Sequence, residues 1–357
     1  MEFTRGQKTY FTRQLNDWHH SDNDRSLPWK EEKDPYKIWL SEIILQQTRA
    51  EQGLPYYLKF TQAYPTVNDL AAAKDEDAFR LWQGLGYYNR CKNMLTTARH
   101  IALNLGGQFP DIYENILSLK GIGPYTAAAI ASFAFGLPYA VADGNVYRVL
   151  ARYFGIDTPF DTTEGKRLFQ TLAQELLNQQ NSAAHNQAIM DLGATICTPQ
   201  NPKCNSCPLP KKCVAYNQGL IADLPVRSKK QTVRNRYFHY LLLKCDDELW
   251  IKKREGKDIW QNLYEPYLIE AKETLDTAQL MRQRWFKALN MKQKPAFEGY
   301  LTQRLTHQLI ETRFFSLELS KAEIPQLDGG NWVRINTLKN YAFPKTVLSF
   351  LEKKFYF

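Results

Sequence analysis

Four cysteines crowded between residues 197 and 213 constrain this chain more than any other feature. Cys197, Cys204, Cys207 and Cys213 follow the pattern C-x6-C-x2-C-x5-C. Thiolates held together in so short a loop repel one another unless a soft metal centre bridges them. Pro199, Pro202, Pro208 and Pro210 stiffen the loop, and Lys203, Lys211 and Lys212 surround it with positive charge. A zinc site usually pairs two short Cys-x2-4-Cys halves across a longer spacer, and here one such half occurs. Spacing alone therefore leaves zinc and an iron–sulfur cluster both open. Cys91 and Cys245 stand apart as spare thiols. A secreted disulfide framework is not expected in a long chain whose first residues, MEFTRGQKTYFTRQ, lack the apolar core of a signal peptide.

With 357 residues, 44% of them hydrophobic and 13% aromatic, the chain can bury two cores of roughly 150 residues each. That content is too apolar for disorder. No stretch approaches the ~20 uninterrupted apolar residues of a membrane span.

Residues 1–215 read as all-α, with apolar positions at three-to-four spacing in 37–48, 76–82 and 93–105. Asp34-Pro35 and Pro110-Asp111 open helices, and Gly106-Gly107 closes one. Residues 216–236 read as an exposed basic linker carrying Arg227, Lys229, Lys230, Arg234 and Arg236, able to lie along a polyanion. From 237 to 357 the pattern is that of a separate α/β domain. YFHYLLLK and ELWIKKR flank an Asp246-Asp247 turn, helical spacing covers 272–289, strands recur over 300–319, and a helix closes the chain at 345–354.

Three features of the helical part suggest chemistry. Leu119-Lys120-Gly121-Ile122-Gly123-Pro124 reads as a tight turn opening a helix, whose free amides suit a phosphate as well as a plain connector. Asp143 stands at the start of a helix, where an N-cap is held charged by amides and dipole; its pKa is expected below the ordinary value. Glu42 shares a helix face with Ile38 and Leu45, so desolvation should raise its pKa, whether it serves a buried ion pair or catalysis.

Together LKGIGPYTA, ADGNVYRV and the four cysteines resemble the helix-hairpin-helix DNA glycosylases related to endonuclease III. Within that superfamily LPWK, DPYKIWLSEIILQQT, WQGLGYYNR and NQAIMDLGATIC resemble the adenine DNA glycosylases, over nearly all of residues 10–215. The resemblance implies a 4Fe–4S cluster on the four cysteines. It also implies removal of adenine mispaired with 8-oxoguanine or guanine in double-stranded DNA, with the base flipped into a pocket. Glu42 would protonate the leaving adenine and Asp143 would stabilise the sugar cation, with Tyr125 and Asn145 ordering the pair. Bifunctional relatives carry a Schiff-base lysine where Tyr125 stands; Lys120 lies on the other side of the glycines, so a monofunctional enzyme is expected. Trp29, Lys30 and Gln187 match the adenine pocket, with Lys30 in place of the usual arginine. Gln47 and Tyr87 match residues that wedge beside 8-oxoguanine, and Gly121 and Gly123 match the phosphate-binding amides. A monomer without membrane contacts, in the cytoplasm with the nucleoid, is expected.

Residues 237–357 resemble the Nudix-like C-terminal domain of the same family. No G-x5-E-x7-R-E-x-x-E-E-x-G box occurs, so the resemblance implies reading of 8-oxoguanine rather than nucleotide hydrolysis. Leu305, Thr306 and His307 stand where that family often has Phe-Ser-His. The hydroxyl and the histidine are kept, and the aromatic is lost.

Overall fold

The computed structural model describes residues 3–228, 232–283, 286–287, 293–325 and 327–356. Two compact units emerge: residues 1–72 with 93–230, and residues 73–92 with 231–357. Much of the expected linker 216–236 does not stand free. Arg152 donates to Leu224 O at 3.0 Å, Phe160 N donates to Val226 O at 3.2 Å, and the first strand already begins at Arg234. Lys229 and Lys230 lie outside the described residues.

The helices, in chain order, are α1 (Arg5–Ser21), α2 (Pro35–Leu45), α3 (Ala50–Ala63), α4 (Val67–Ala72), α5 (Asp75–Leu81) and α6 (Asn89–Asn104). Then come α7 (Tyr113–Ser118), α8 (Pro124–Phe135), α9 (Gly144–Phe154), α10 (Thr163–Leu176), α11 (Ser182–Thr195) and α12 (Val214–Gln218). The helical half is all-α as expected. Asp34 caps α2 by accepting from Tyr36 N at 2.9 Å, with Pro35 in the first turn. The expected helix over 37–48 stops early, at Leu45, because Gln46 is extended and Gln47 adopts a left-handed φ of 57°.

The main core of the first unit gathers Phe11, Leu15 and Trp18 of α1, Val149, Leu150 and Tyr153 of α9, Phe169 and Leu172 of α10, and Ile189 and Leu192 of α11. Burying one such side chain contributes about 1.5–3 kcal/mol. Helix α8 packs on α2, and its residues Ala127 to Ser132, four of them alanine, are all buried. A side chain at Gly193 would sit 2.6 Å from Asn145 Cβ, so only glycine lets α11 approach the start of α9 this closely.

In the second unit, β1 (Arg234–Cys245), β2 (Glu248–Lys253), β3 (Tyr264–Glu265), β4 (Tyr267–Ala271), β5 (Ala296–Arg304), β6 (Gln308–Glu318) and β7 (Gly330–Arg334) form one mixed sheet. The path is β3-β2-β1-β6-β5, with β4 on β1 and β7 on β2. The Asp246-Asp247 hairpin is present, pairing Lys244 with Leu249 around a left-handed Asp246. The long central pair β1–β6 is parallel, from Arg234↔Gln308 to Lys244↔Glu318. A parallel pair needs cover on both faces. Phe238, Tyr240 and Leu242 point to the face covered by α14 (Lys345–Phe355) through Val347 and Leu351. Leu241 and Leu243 point to the other, covered by Leu275, Phe286 and Leu280 of α13 (Thr277–Arg282). Of the helical stretch expected over 272–289, residues 284–285 and 288–289 lie outside the described residues.

Candidate active site

Glu42 lies on the apolar face of α2 with 7% of its surface exposed. Desolvation raises its pKa to about 7; the nearby negative charge of Asp143 adds to this, and a hydrogen bond from Tyr125 opposes it. Tyr125, in the first turn of α8, therefore touches the acid directly.

Asp143 caps α9. Its Oδ1 accepts from Asn145 N at 2.9 Å and Val146 N at 2.8 Å, and its Oδ2 accepts from Asn145 Nδ2 at 2.7 Å. The expected lowering of its pKa is not found. Burial pushes the carboxyl up, and the three hydrogen bonds and the charge of Arg148 offset that only in part. Between two neighbouring carboxyls, however, the one holding three donors is the better anion and the one holding a single tyrosine hydroxyl the better acid. The site thus brings Glu42, Tyr125, Asp143 and Asn145 together, with one proton placed on Glu42.

Behind this pair stands Arg148. It donates to Asn145 Oδ1 at 2.8 Å, to Gly193 O at 2.7 Å and to Cys197 O at 2.7 Å. One turn on, Arg152 reaches Thr198 O at 2.8 Å, Pro199 O at 3.2 Å and the Cys197 sulfur at 3.5 Å. Two buried arginines of α9 therefore tie the cysteine loop to the residues that orient Asp143.

Cys197, Cys204, Cys207 and Cys213 all line one cavity, closed by Arg152, Pro202 and Tyr216 among others. Among the described residues no three Cys, His, Asp or Glu side chains converge closely enough to hold a single metal ion. Four cysteines lining one cavity are a donor set that could hold a soft metal centre.

A second cavity, of about 810 Å³, is lined by Lys30 and Gln187 together with Arg25, Leu27 and Pro28. Lys30 does not present a free ammonium there, since it pairs with the fully buried Asp191 at 2.8 Å and donates to Arg25 O at 2.5 Å. Trp29 is not part of this lining and packs edge-on against Tyr57, ring centroids 5.2 Å apart.

Of the DNA-facing candidates, Gln47 is exposed in a left-handed conformation. Gly121 has φ 81°, and a side chain there would strike Asn93 at 2.7 Å. Gly123 precedes α8 with no side-chain cap, leaving that helix start open to an anion. In the second unit Tyr87 is 48% exposed at φ 49°, its loop braced by Trp82 Nε1 donating to Gly86 O at 2.9 Å. The Tyr87 and Thr306 hydroxyls are hydrogen-bonded to each other. Thr306 and His307 are exposed in the β5–β6 turn, whereas Leu305 is packed against the sheet core.

The chain matches the HhH-GPD superfamily base excision DNA repair protein family over residues 40–179 and the NUDIX domain over 239–353. Adenine DNA glycosylase of Buchnera aphidicola subsp. Schizaphis graminum is 37% identical over 254 residues, 71% of this chain and 73% of that protein. The chain belongs to the adenine DNA glycosylase family. Another adenine DNA glycosylase, from Rattus norvegicus, is 40% identical over 61% of this chain and 44% of its own length. Among solved structures, a thermostable thymine-DNA glycosylase aligns with TM-score 0.56 and 30% identity, covering 61% of this chain and all of its own. A trapped endonuclease III–DNA intermediate aligns at TM-score 0.54 and 20% identity over the same 61% of this chain and all of its own, a likeness of fold. As a member of the adenine DNA glycosylase family the chain is a DNA-binding DNA glycosylase of base excision repair, a helix-hairpin-helix catalytic fold followed by a Nudix-like domain. No helix of the described residues is long and apolar enough to cross a membrane.

Sequence reasoning did not single out Arg148, Arg152 or Asp191. A signal was there for the arginines: four residues apart on α9, they interrupt the apolar stripe Val146, Val149, Leu150 and Tyr153. Asp191 follows Gln187 by one helical turn, a spacing that puts the two side chains in reach.

Proposed function

We propose that this enzyme hydrolyses the N-glycosidic bond of adenine paired with 8-oxoguanine, or with guanine, in double-stranded DNA. The arrangement that carries the reading is a buried glutamic acid, its pKa pushed up to about 7 by desolvation, beside an aspartate anchored by three donors. Glu42, protonated, gives its proton to N7 of the flipped adenine, and the C–N bond breaks with both electrons leaving on the neutral base. Asp143 faces the oxocarbenium-like sugar and stabilises its positive charge. Glu42, now ionised, takes a proton from the incoming water, which closes the cycle. Tyr125 holds Glu42, and Asn145 holds Asp143.

Tyr125 has no amine with which to form a Schiff base, so the enzyme is read as monofunctional. A glycosylase/lyase would be trapped on its substrate by borohydride through a specific active-site lysine. Cys197, Cys204, Cys207 and Cys213 would hold a 4Fe–4S cluster. When bound, that cluster cross-links the loop through iron–thiolate bonds. Residues 1–215 would form the catalytic domain and 237–357 the lesion reader, joined by the basic 216–236 segment. The amides at Gly121 and Gly123 would grip a phosphate, while Gln47 and Tyr87 would enter the stack beside the lesion. Thr306 and His307 would read 8-oxoguanine, and Lys30 and Gln187 would frame the adenine, with Trp29 outside that cavity. The protein is read as a monomer of the cytoplasm, associated with the nucleoid.

The test is a single-turnover assay on matched duplexes in which the excised base and the opposite base are both varied. Adenine opposite 8-oxoguanine should be removed fastest. Excision of pyrimidines in preference to adenine would overturn the proposal.

A further inference from the structure

Asp191 is fully buried, 0% exposed, one helical turn beyond Gln187 on α11. Its Oδ1 accepts from Arg25 Nη1 at 2.8 Å and from Gln187 Nε2 at 3.0 Å. Its Oδ2 accepts from Asn23 Nδ2 at 2.8 Å and pairs with Lys30 Nζ at 2.8 Å. Four side chains thus converge on one carboxylate, and all four, Asn23, Arg25, Lys30 and Gln187, also line the 810 Å³ cavity.

An ionised carboxylate flanked by two cations only accepts hydrogen bonds. The Gln187 amide must therefore turn its NH2 toward Asp191. Its carbonyl oxygen is left as the free end of the group, at the cavity that Gln187 lines. We infer that Asp191 is a positioning residue that sets the orientation of the Gln187 amide, so that the cavity offers a hydrogen-bond acceptor and selects a 6-aminopurine over a 6-oxopurine. The inference rests on the adenine reading above and adds the group that enforces it. Adenine donates from its exocyclic amine to such an acceptor. Hypoxanthine puts a carbonyl in the same place, and the two oxygens repel. A site built to pair a donor rejects the analogue that lacks one, because its own polar group is left unpaired.

Asp191→Asn tests this directly. Asparagine has a single oxygen: kept toward Lys30 and Asn23 on the Oδ2 side, it sets its NH2 where Arg25 and Gln187 met Oδ1, and Gln187 has to turn over and present its own NH2 to the cavity. The full-length holoenzyme is assayed in single turnover on duplexes carrying adenine or hypoxanthine opposite 8-oxoguanine. The expected result is a fall of about tenfold or more in the adenine-to-hypoxanthine rate ratio. A loss of structure alone would lower both rates and leave the ratio in place, which would overturn the inference. Gln187→Met leaves all the ion pairs untouched and removes the acceptor, so it should also lose the preference. If Asp191→Asn does not fold, an unchanged ratio in Gln187→Met still overturns the inference. Wild-type protein that removes no adenine in the same assay would instead sink the adenine reading, so the two failures are distinguishable.

Discussion

Replacing Glu42 by glutamine should abolish excision and stabilise the fold, and the stabilisation should depend on pH in a defined way. Burial displaces the Glu42 pKa from its ordinary 4.5 to about 7. That displacement makes the ionised side chain cost the folded state about 3 kcal/mol. Between about pH 4.5 and about pH 7 the folded chain holds a proton that the unfolded chain has released. Stability therefore falls as pH rises through this window and levels off above it. Glutamine has the same shape, accepts the Tyr125 hydrogen bond and carries no charge at any pH. Glu42→Gln should thus match wild type near pH 4.5 and exceed it by about 3 kcal/mol near pH 8. Urea unfolding of both proteins at a series of pH values measures the difference. A glutamine variant no more stable at pH 8 than wild type, or a gain that does not change with pH, would refute the reasoning. Catalysis at this position would then not be held against a stability cost.

Arg148→Gln removes donors from four oxygens, at Gly144, Asn145, Gly193 and Cys197. It should cost about 3 kcal/mol of stability. It should also slow excision at saturating DNA through the loosened Asn145, checked by thermal unfolding beside single-turnover rates. Cys197→Ser should abolish the brown colour of the cluster and weaken DNA binding more than it slows the bond-breaking step, as a binding titration run beside single-turnover rates would show. Changing Thr306 and His307 together to alanine should erode the preference for 8-oxoguanine over guanine opposite adenine, and an unchanged preference would place the reading of the lesion elsewhere.

Local features were the legible ones. Glu42 stood out as an acid among apolar neighbours on one helix face, and it is buried there. Asp143 stood out as a cap, and it caps. What it lacked in sequence was its surroundings: the lowered pKa expected of a cap gives way because burial outweighs its hydrogen bonds and the nearby Arg148. Gln47 had helical spacing behind it, but periodicity does not report the left-handed turn that ends the helix two residues earlier. Lys30 matches the adenine pocket in sequence, yet its charge is held by Asp191, a partner far along the chain that no local pattern links to it. The parallel β1–β6 pairing was invisible for the same reason, since it joins strands separated by β2 to β5.

The central claim is that a protonated Glu42 works against an anchored Asp143. The most direct test is the pH dependence of the single-turnover rate of adenine excision from an 8-oxoguanine duplex, with binding saturated. As Glu42 loses its proton, the rate should fall about tenfold for each pH unit above about 7. A rate that stays level or rises between about pH 7 and about pH 9 would contradict it.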